Sequence, residues 1–259
     1  MAEPSTLTLA QQLHRLQHGD DGERYYAAWW LGFPGAREAV PALIAALQDE
    51  QDKTAAGGFP LRRNAAQALG KIGDPQAIPA LIHALADGDP YVVAKAALAL
   101  GTLALPHPEQ HRLVEEALLQ WLRHSPVFSP TDPLEAVMET LGRLGCRRAV
   151  PELLPLIEHD HPRLASAACR ALFLLTGDPA YVERLLLGLT HDNIHVRRGV
   201  LFDLAATGYV PAAAAVANAA LETNLKLLAL KTLADEHLRR HPTDTTAIRP
   251  LLTCLDHLL

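Results

Sequence analysis

Short apolar blocks return along the chain, separated by polar and turn-forming stretches. The block AVPALI at Ala39–Ile44 comes back as AIPALI at Ala77–Ile82 and, more loosely, as AVPELL at Ala149–Leu154. The later copies are marked by valines at intervals of 32 and 28 positions: Val150, Val182 and Val210. Recurrence at this spacing predicts a repeat architecture.

A second sequence feature recurs at the same interval as the apolar blocks. Asp89, Asp160 and Asp192 each open an Ala/Leu-rich segment, and the last two are again 32 positions apart. Aspartate accepts hydrogen bonds from the unpaired amides of a helix start, and proline is tolerated in a first helical turn. Glycines favour helix ends, where a left-handed cap is needed: Gly70, Gly73, Gly101, Gly142, Gly145, Gly177 and Gly208. The unit is therefore an Asp-capped helix, a glycine turn and a second helix, about 30 residues long.

One helical pair cannot bury its own apolar face, so such units must stack. We predict an all-α fold, an α-solenoid of about seven HEAT-like helical hairpins with 14 or 15 helices, forming a single domain over residues 1–259. The five prolines within residues 106–133 indicate an irregular segment or a bend there.

Composition supports the helical prediction. Alanine (43) and leucine (47) far outnumber valine plus isoleucine (19), which argues against a sheet. A net charge of −6 argues against a duplex-binding protein. Three scattered cysteines fit a reducing compartment, and we see neither a secretory signal nor a run long enough to cross a membrane. A cytoplasmic protein without membrane insertion or nucleic-acid partner is expected.

Four of the thirteen aromatic residues fall within six positions: Tyr25, Tyr26, Trp29 and Trp30. On a helix, Tyr25 and Trp29 are neighbours at i,i+4, as are Tyr26 and Trp30, so two adjacent aromatic ridges result. Core packing and a binding surface are equally compatible with this pattern.

A second block follows an acidic loop containing Asp49, Glu50 and Asp52. It reads GGFPLRRN and holds Phe59, Arg62, Arg63 and Asn64. Arginine can bind a carboxylate through two parallel hydrogen bonds, and an acid beside it could exchange protons with a ligand. The alternatives are a solvated turn and solvated arginine pairs, since paired arginines recur elsewhere in the repeats.

Other chemistries find little support. Histidines stand at i,i+4 in four places, yet no HExxH arrangement occurs, and we predict no metal site. The chain has neither a Gly-x-Ser-x-Gly elbow nor a glycine-rich phosphate loop.

The aromatic block followed by the GGFPLRRN block resembles the E-type subunits of the heterodimeric E/F phycocyanobilin lyases of cyanobacteria, which belong to the phycobilisome-lyase class of HEAT-like repeats. The resemblance covers most of the chain and is strongest over residues 23–90. It implies a lyase subunit that acts with an F-type partner and attaches phycocyanobilin, through a thioether, to a cysteine of the phycocyanin α subunit.

The resemblance also implies site residues. Tyr25, Tyr26, Trp29, Trp30, Phe59, Arg62, Arg63 and Asn64 would bind the bilin, and Asp52 would be the catalytic acid. Phycocyanobilin would be a transferred substrate, and no permanent cofactor is implied. Isomerising relatives carry a His-Cys pair; this sequence has none, so attachment without isomerisation is expected.

Two other functions are compatible with a HEAT-like repeat. One is a non-catalytic adaptor or chaperone for phycobiliproteins, which leaves the arginine block unexplained. The other is a HEAT-like DNA glycosylase, which needs a basic groove that the negative net charge disfavours.

Overall fold

The structure is a computed structural model that describes residues 8–33, 35–124 and 133–258. These residues form fifteen α-helices and no strand, which confirms the all-α prediction and the expected number of helices. The helices are α1 Leu9–His18, α2 Asp21–Leu31, α3 Val40–Ala46, α4 Pro60–Ile72, α5 Ile78–Ala84, α6 Pro90–Ala104, α7 Pro108–His124, α8 Leu134–Leu144, α9 Val150–Leu153, α10 Pro162–Thr176, α11 Ala180–Leu187, α12 Ile194–Thr207, α13 Ala213–Asn218, α14 Thr223–Arg240 and α15 Arg249–Leu258.

The chain forms two compact units, divided between Leu144 and Gly145. In the first, α2, α4, α6 and α8 pack side by side in one row, and α3, α5 and α7 lie against that row. Leu69, Leu100 and Leu141 of successive helices in the row are fully buried. The row therefore buries the apolar face that no single hairpin could cover.

The second unit repeats this arrangement on its own. Helices α10, α12 and α14 form the row, and α11, α13 and α15 pack beside it. Leu172, Leu204 and Leu230 are fully buried along its core. Both units are thus stacked helical hairpins, as the repeated blocks predict.

The predicted aspartate caps are right in one case of three. Asp89 caps α6, but the caps of α10 and α12 are the residues after the expected aspartates, His161 and Asn193. Asn193 accepts an amide hydrogen bond in the usual way, whereas the His161 side chain accepts none from its helix. The predictions for Asp160 and Asp192 are therefore wrong by one residue, because the loop before each helix is one residue longer than the pattern suggested.

The seven glycines predicted at helix ends divide into two groups with different roles. Four follow helices with φ between +62° and +80°, as predicted: Gly73, Gly145, Gly177 and Gly208. Gly70, Gly101 and Gly142 instead lie inside helices, so their prediction as helix ends is wrong. A Cβ on Gly70 would lie 2.8 Å from Cβ of Ala99, and one on Gly101 would lie 2.7 Å from Cγ2 of Thr140. These two glycines allow close approach between neighbouring helices of the row.

The proline-rich stretch contains regular structure. Helix α7 occupies residues 108–124 of the segment in which a bend was expected, and residues 125–132 lie outside the described part of the chain. The boundary between the two compact units falls after this segment. The single domain and the bend stay predictions.

Within the described residues, no helix combines the length and the apolar character that crossing a lipid bilayer requires.

The close contact at Gly70 yields a test of the packing. Gly70→Ala should lower the free energy of unfolding by about 1–2 kcal/mol, because overpacking against Ala99 exceeds the gain in helix propensity. Gly22→Ala is the matched control: Gly22 is exposed in α2, and the nearest atom to an added Cβ is 3.4 Å away. Urea unfolding should show a lower free energy of unfolding for Gly70→Ala and an unchanged or higher one for Gly22→Ala. Equal stabilities would contradict the tight contact.

Candidate functional site

The loops that join successive hairpins of the first unit differ in length. Residues 47–59 separate α3 from α4, whereas only residues 85–89 separate α5 from α6. The longer loop carries both the acidic residues and the Gly-Gly-Phe sequence. A long loop in a compact repeat is a common place for function, and here it is held by specific contacts.

Arg24 of α2 fixes the start of this loop. Its guanidinium pairs with the Asp49 carboxylate and donates to Oε1 of Gln51 at 2.8 Å. The Asp49 carboxylate also accepts the amides of Gln51 and Asp52, at 3.1 and 3.2 Å. Arg24 and Asp49 are both about nine-tenths buried, so each charge depends on the other for compensation.

Arg62 of α4 fixes the same loop from the other side. Its Nε donates to the carbonyl oxygen of Asp49 at 2.5 Å, and its Nη1 donates to Oδ2 of Asp87 at 2.8 Å. The guanidinium lies 3.7 Å from the centre of the Phe59 ring, a cation–π distance. Arg62 is therefore a paired, largely buried side chain, and the solvated-pair alternative is wrong for it.

The two arginine pairs are equivalent positions of successive repeats. Arg24 and Arg62 stand 38 positions apart, and so do Asp49 and Asp87. Each pair links a helix of the row to the loop that follows the next short helix. Arg62–Asp87 is thus part of the repeat framework.

Arg63 is held differently. Its Nε donates to Oδ2 of Asp89 at 2.7 Å, and its guanidinium lies 4.5 Å from the centre of the Tyr91 ring. Asp89 is almost fully buried. Burial by itself would raise the pKa of Asp89, but hydrogen bonds from Arg63 and from the amides of Phe59 and Tyr91 outweigh burial, and the pKa is lowered.

Asp52, the predicted catalytic acid, is half-buried beneath the start of α4. Its Oδ2 accepts the amide of Leu61 at 2.5 Å, and its Oδ1 is buried and accepts no hydrogen bond from the described residues. Burial raises the pKa of Asp52, and the Asp49 carboxylate adds to the rise, against the opposing effects of the Leu61 amide and Arg24. The carboxyl therefore holds its proton to higher pH than an ordinary aspartate does.

The aromatic block forms a surface. Helix α2 turns Arg24, Ala27, Ala28 and Leu31 inward, while Tyr25, Tyr26 and Trp29 are 37%, 68% and 57% exposed. Core packing, one of the two alternatives, is thereby excluded for these three side chains. Trp30 is half-buried and contacts the exposed Phe33 edge-to-face, with ring centres 5.5 Å apart.

Asn64 joins the two predicted blocks. Its Nδ2 donates to the backbone oxygen of Tyr25 at 3.1 Å, which ties α4 to the aromatic segment of α2. Together with the Arg24–Asp49 pair, this bond places the aromatic surface, the acidic loop and the start of α4 in one region. The structure thus brings the predicted residues of both blocks together.

Sequence reasoning missed four residues of this region: Arg24, Phe33, Asp87 and Tyr91. It identified Asp89 as a helix cap but missed its contacts with Phe59 and Arg63. The 38-position spacing of the repeat could have found the Arg24–Asp49 and Arg62–Asp87 pairs. Phe33 continues the i,i+4 series after Trp29. No sequence signal marks Tyr91 or the contacts of Asp89 beyond its own helix, because these contacts depend on which hairpin packs next.

The cysteines and histidines do not form a second site. Among the described residues no disulfide joins the three cysteines, and burial raises the pKa of Cys169 to about 11, so its thiol stays protonated at neutral pH. No group of three or more metal-binding side chains comes together within the described ranges.

The comparisons with known proteins agree with one another. The chain is 46% identical over 272 residues to the phycocyanobilin lyase subunit alpha of Thermosynechococcus vestitus, covering 100% of this chain and 97% of the relative. The chain belongs to the phycocyanobilin lyase alpha-subunit family. Another relative is the bilin biosynthesis protein PecE of Mastigocladus laminosus, 40% identical over 218 residues, with 84% of this chain and 78% of the relative covered.

The HEAT-repeat match and a solved structure agree with membership in this alpha-subunit family. The family model for HEAT repeats matches residues 7–101, 56–127 and 115–204. A solved structure of the complex of CpcE and CpcF of phycocyanin lyase from Nostoc sp. PCC7120 contains a chain with a TM-score of 0.80 and 40% identity, covering 100% of this chain and 98% of that one. The predicted HEAT-like solenoid and the predicted lyase family are both confirmed.

The raised pKa of Asp52 gives a prediction for stability against pH. The unfolded chain releases this proton near pH 4, the folded protein only at higher pH, so ionisation of Asp52 lowers the free energy of unfolding across that interval. Asp52→Asn keeps an oxygen for the Leu61 amide but cannot ionise. We expect equal stabilities below about pH 4 and a relative gain for Asp52→Asn as the pH rises through the folded pKa.

Urea unfolding of wild type and Asp52→Asn between pH 3 and 7 measures this difference. Asp52→Ala is the control for loss of the helix contact, since it removes the acceptor for Leu61 at every pH. A stability difference between wild type and Asp52→Asn that does not change with pH would contradict the raised pKa.

Proposed function

We propose that this chain is the bilin-lyase subunit that acts with an F-type partner to attach phycocyanobilin to a cysteine of the phycocyanin α subunit. The observation that carries the proposal is the exposed aromatic surface of α2, in the same region as a carboxyl group with a raised pKa on which Arg24 of that helix acts. Membership in the alpha-subunit family supports the reaction class, and the local geometry supports the residue roles that we propose below.

The aromatic surface fits a long conjugated tetrapyrrole. Tyr25, Tyr26 and Trp29 offer large flat side chains at low entropic cost, and Tyr25 and Tyr26 already meet edge-to-face with ring centres 5.4 Å apart. Trp30 and Phe59 are half-buried and extend the apolar surroundings at the edges of this region. We assign the exposed side chains to stacking against the pyrrole rings.

Asp52 suits proton exchange with the bilin. A carboxyl with a raised pKa keeps its proton to higher pH than an ordinary aspartate, and one of its oxygens is not engaged by the described protein groups. The contacts of Arg24 and Asp49 keep the acidic loop in place around it. We assign Asp52 to stabilising the protonated bilin during addition.

The reaction needs no oxidant. The thiol of the acceptor cysteine adds across the carbon–carbon double bond of the A-ring side chain, so that one C–S bond forms and the thiol proton ends on the bilin. The nucleophile belongs to the acceptor protein, which fits the protonated, buried Cys169 of this chain. The chain itself holds and orients the substrate.

The arginine block is assigned to the bilin propionates with one refinement. Arg62 is the more enclosed of the two, with a side chain 13% exposed against 31% for Arg63. Arg63 is therefore the better candidate for contact with a propionate, and Arg62 for holding the loop. Asn64 is assigned to joining α4 to α2 at the bilin surface.

We further propose attachment without isomerisation, in the cytoplasm, with phycocyanobilin as a transferred substrate and no permanent cofactor. The absence of a His-Cys dipeptide supports the first statement. The absorption spectrum of the product tests it, since an isomerised chromophore has a shorter conjugated system.

Reconstitution tests the function. The chain, an F-type subunit, phycocyanobilin and apo-phycocyanin α subunit should give red absorbance that survives denaturation, and omission of either lyase subunit should abolish it. Trp29→Ala should raise the half-saturating bilin concentration about tenfold, because an exposed stacking face is lost. Leu187→Ala, at an apolar side chain that is 73% exposed in the second unit, is the control and should leave it unchanged.

The adaptor alternative predicts a different result. It requires tight binding between this chain and phycobiliproteins with no adduct above the spontaneous background. That outcome would favour the adaptor over the lyase. Equal effects of Trp29→Ala and Leu187→Ala on the half-saturating bilin concentration would contradict bilin binding at the α2 surface.

A further inference from the structure

Asp89 lies in the short loop between α5 and α6, and its side chain is 1% exposed. It caps α6 through Oδ1, which accepts the amide of Tyr91 at 2.9 Å. Its Oδ2 accepts two more hydrogen bonds from residues about one repeat away, the amide of Phe59 and Nε of Arg63, each at 2.7 Å. One carboxylate thus joins two consecutive hairpins.

Capping does not explain these contacts. A helix cap needs one acceptor, as Asn193 shows at the start of α12 with a single oxygen. The second oxygen of Asp89 is directed to the preceding hairpin instead. Its two bonds therefore serve the start of α4.

The start of α4 depends on acceptors from outside the helix. Phe59 occupies the cap position and has no side-chain oxygen, and Pro60 has no amide hydrogen. The amide of Phe59 is satisfied by Asp89 and that of Leu61 by Asp52. Two aspartates from different loops therefore cap one helix, and one of them is the candidate catalytic acid.

The Arg63–Asp89 pair also departs from the repeat. At 38 positions earlier, where Arg24 and Asp49 reproduce the Arg62–Asp87 pair, the places of Arg63 and Asp89 are taken by Tyr25 and Gln51. The repeat framework therefore does not require this pair. Its neighbourhood is tight, since a Cβ on Gly58 would lie 2.1 Å from Nη2 of Arg63.

We propose that Asp89 is a positioning residue for the bilin site: its second carboxylate oxygen holds Phe59 and Arg63, and through them sets the start of α4 above Asp52. This inference rests on the function proposed above. Asp89 acts through these neighbours and makes no contact with the reacting atoms.

Asp89→Ser separates the two roles of the carboxylate, because serine retains one capping oxygen and lacks the second acceptor. In the reconstituted lyase with its F-type partner we expect the rate of adduct formation at saturating bilin to fall at least tenfold. A rise in KM for bilin is expected as well, because Asp89 also holds Arg63, the candidate propionate contact. Hydrogen exchange at the Phe59 amide should accelerate at least tenfold, while exchange at Tyr91 stays within threefold.

Asp74→Ser is the matched control. Asp74 is also a buried capping aspartate of the first unit; it accepts the amide of Gln76, and its other oxygen lies 3.7 Å from the exposed Arg37. Its replacement should leave the rate within twofold of wild type. Asp89→Asn, which keeps the side-chain size, is the second variant if Asp89→Ser does not fold, with the same expectation.

The outcomes are distinguishable. A rate for the folded Asp89 variant within twofold of wild type, or an equal loss in Asp74→Ser, overturns the positioning role and leaves the proposed function standing. The double variant Arg63→Ala with Asp89→Ser should lose no more of the rate of adduct formation than the more damaging single variant. Fully additive losses in rate would also overturn the positioning role. If wild type itself gives no adduct, the proposed function fails, and unchanged exchange at Phe59 would then reject the positioning role independently.

Discussion

Buried pairing of arginine with aspartate is the interaction on which the site depends. A loop of thirteen residues between two short helices would cost conformational entropy to order, and its acidic side chains would prefer water. Arg24 pairs with the Asp49 carboxylate, which also accepts the backbone amide of Gln51. Arg62 donates to the backbone oxygen of Asp49 and pairs with Asp87 of the following loop. Because a buried charge is costly when its partner is missing, these pairs fix the loop in one conformation.

The aromatic surface follows from the same constraint. Arg24 must turn inward to reach Asp49, and the helical period then turns Tyr25, Tyr26 and Trp29 away from the core. Small residues on the inward face, Ala27 and Ala28, let α2 approach its neighbours closely. In the described part of the chain, all strongly exposed aromatic side chains lie in the first unit, which is where the acid and the arginine block also lie.

The second unit also contains buried pairs of arginine and aspartate, and there they join helices to each other. Asp203 of α12 is buried, accepts a hydrogen bond from Ser166, and pairs with Arg163 and Arg170 of α10. This network joins adjacent helices of the row, and its charges compensate one another within the core. In the described residues of the second unit no strongly exposed aromatic side chain accompanies this network. In the first unit the Arg63–Asp89 pair is an addition to the repeat framework, because Tyr25 and Gln51 stand at the equivalent positions one repeat earlier.

The sequence by itself determined the helical class, the repeat, the number of helices and the two blocks of the candidate site, because helix propensity, turn residues and recurring apolar blocks are local signals. It could not tell whether the aromatic block faced the core, since i,i+4 spacing is the same in both cases. It could not tell whether Gly70 and Gly101 end helices or allow close packing, and it gave no sign that Asp89 does more than cap α6. Those outcomes depend on which groups of the next hairpin come within hydrogen-bond distance, and only the tertiary structure decides that.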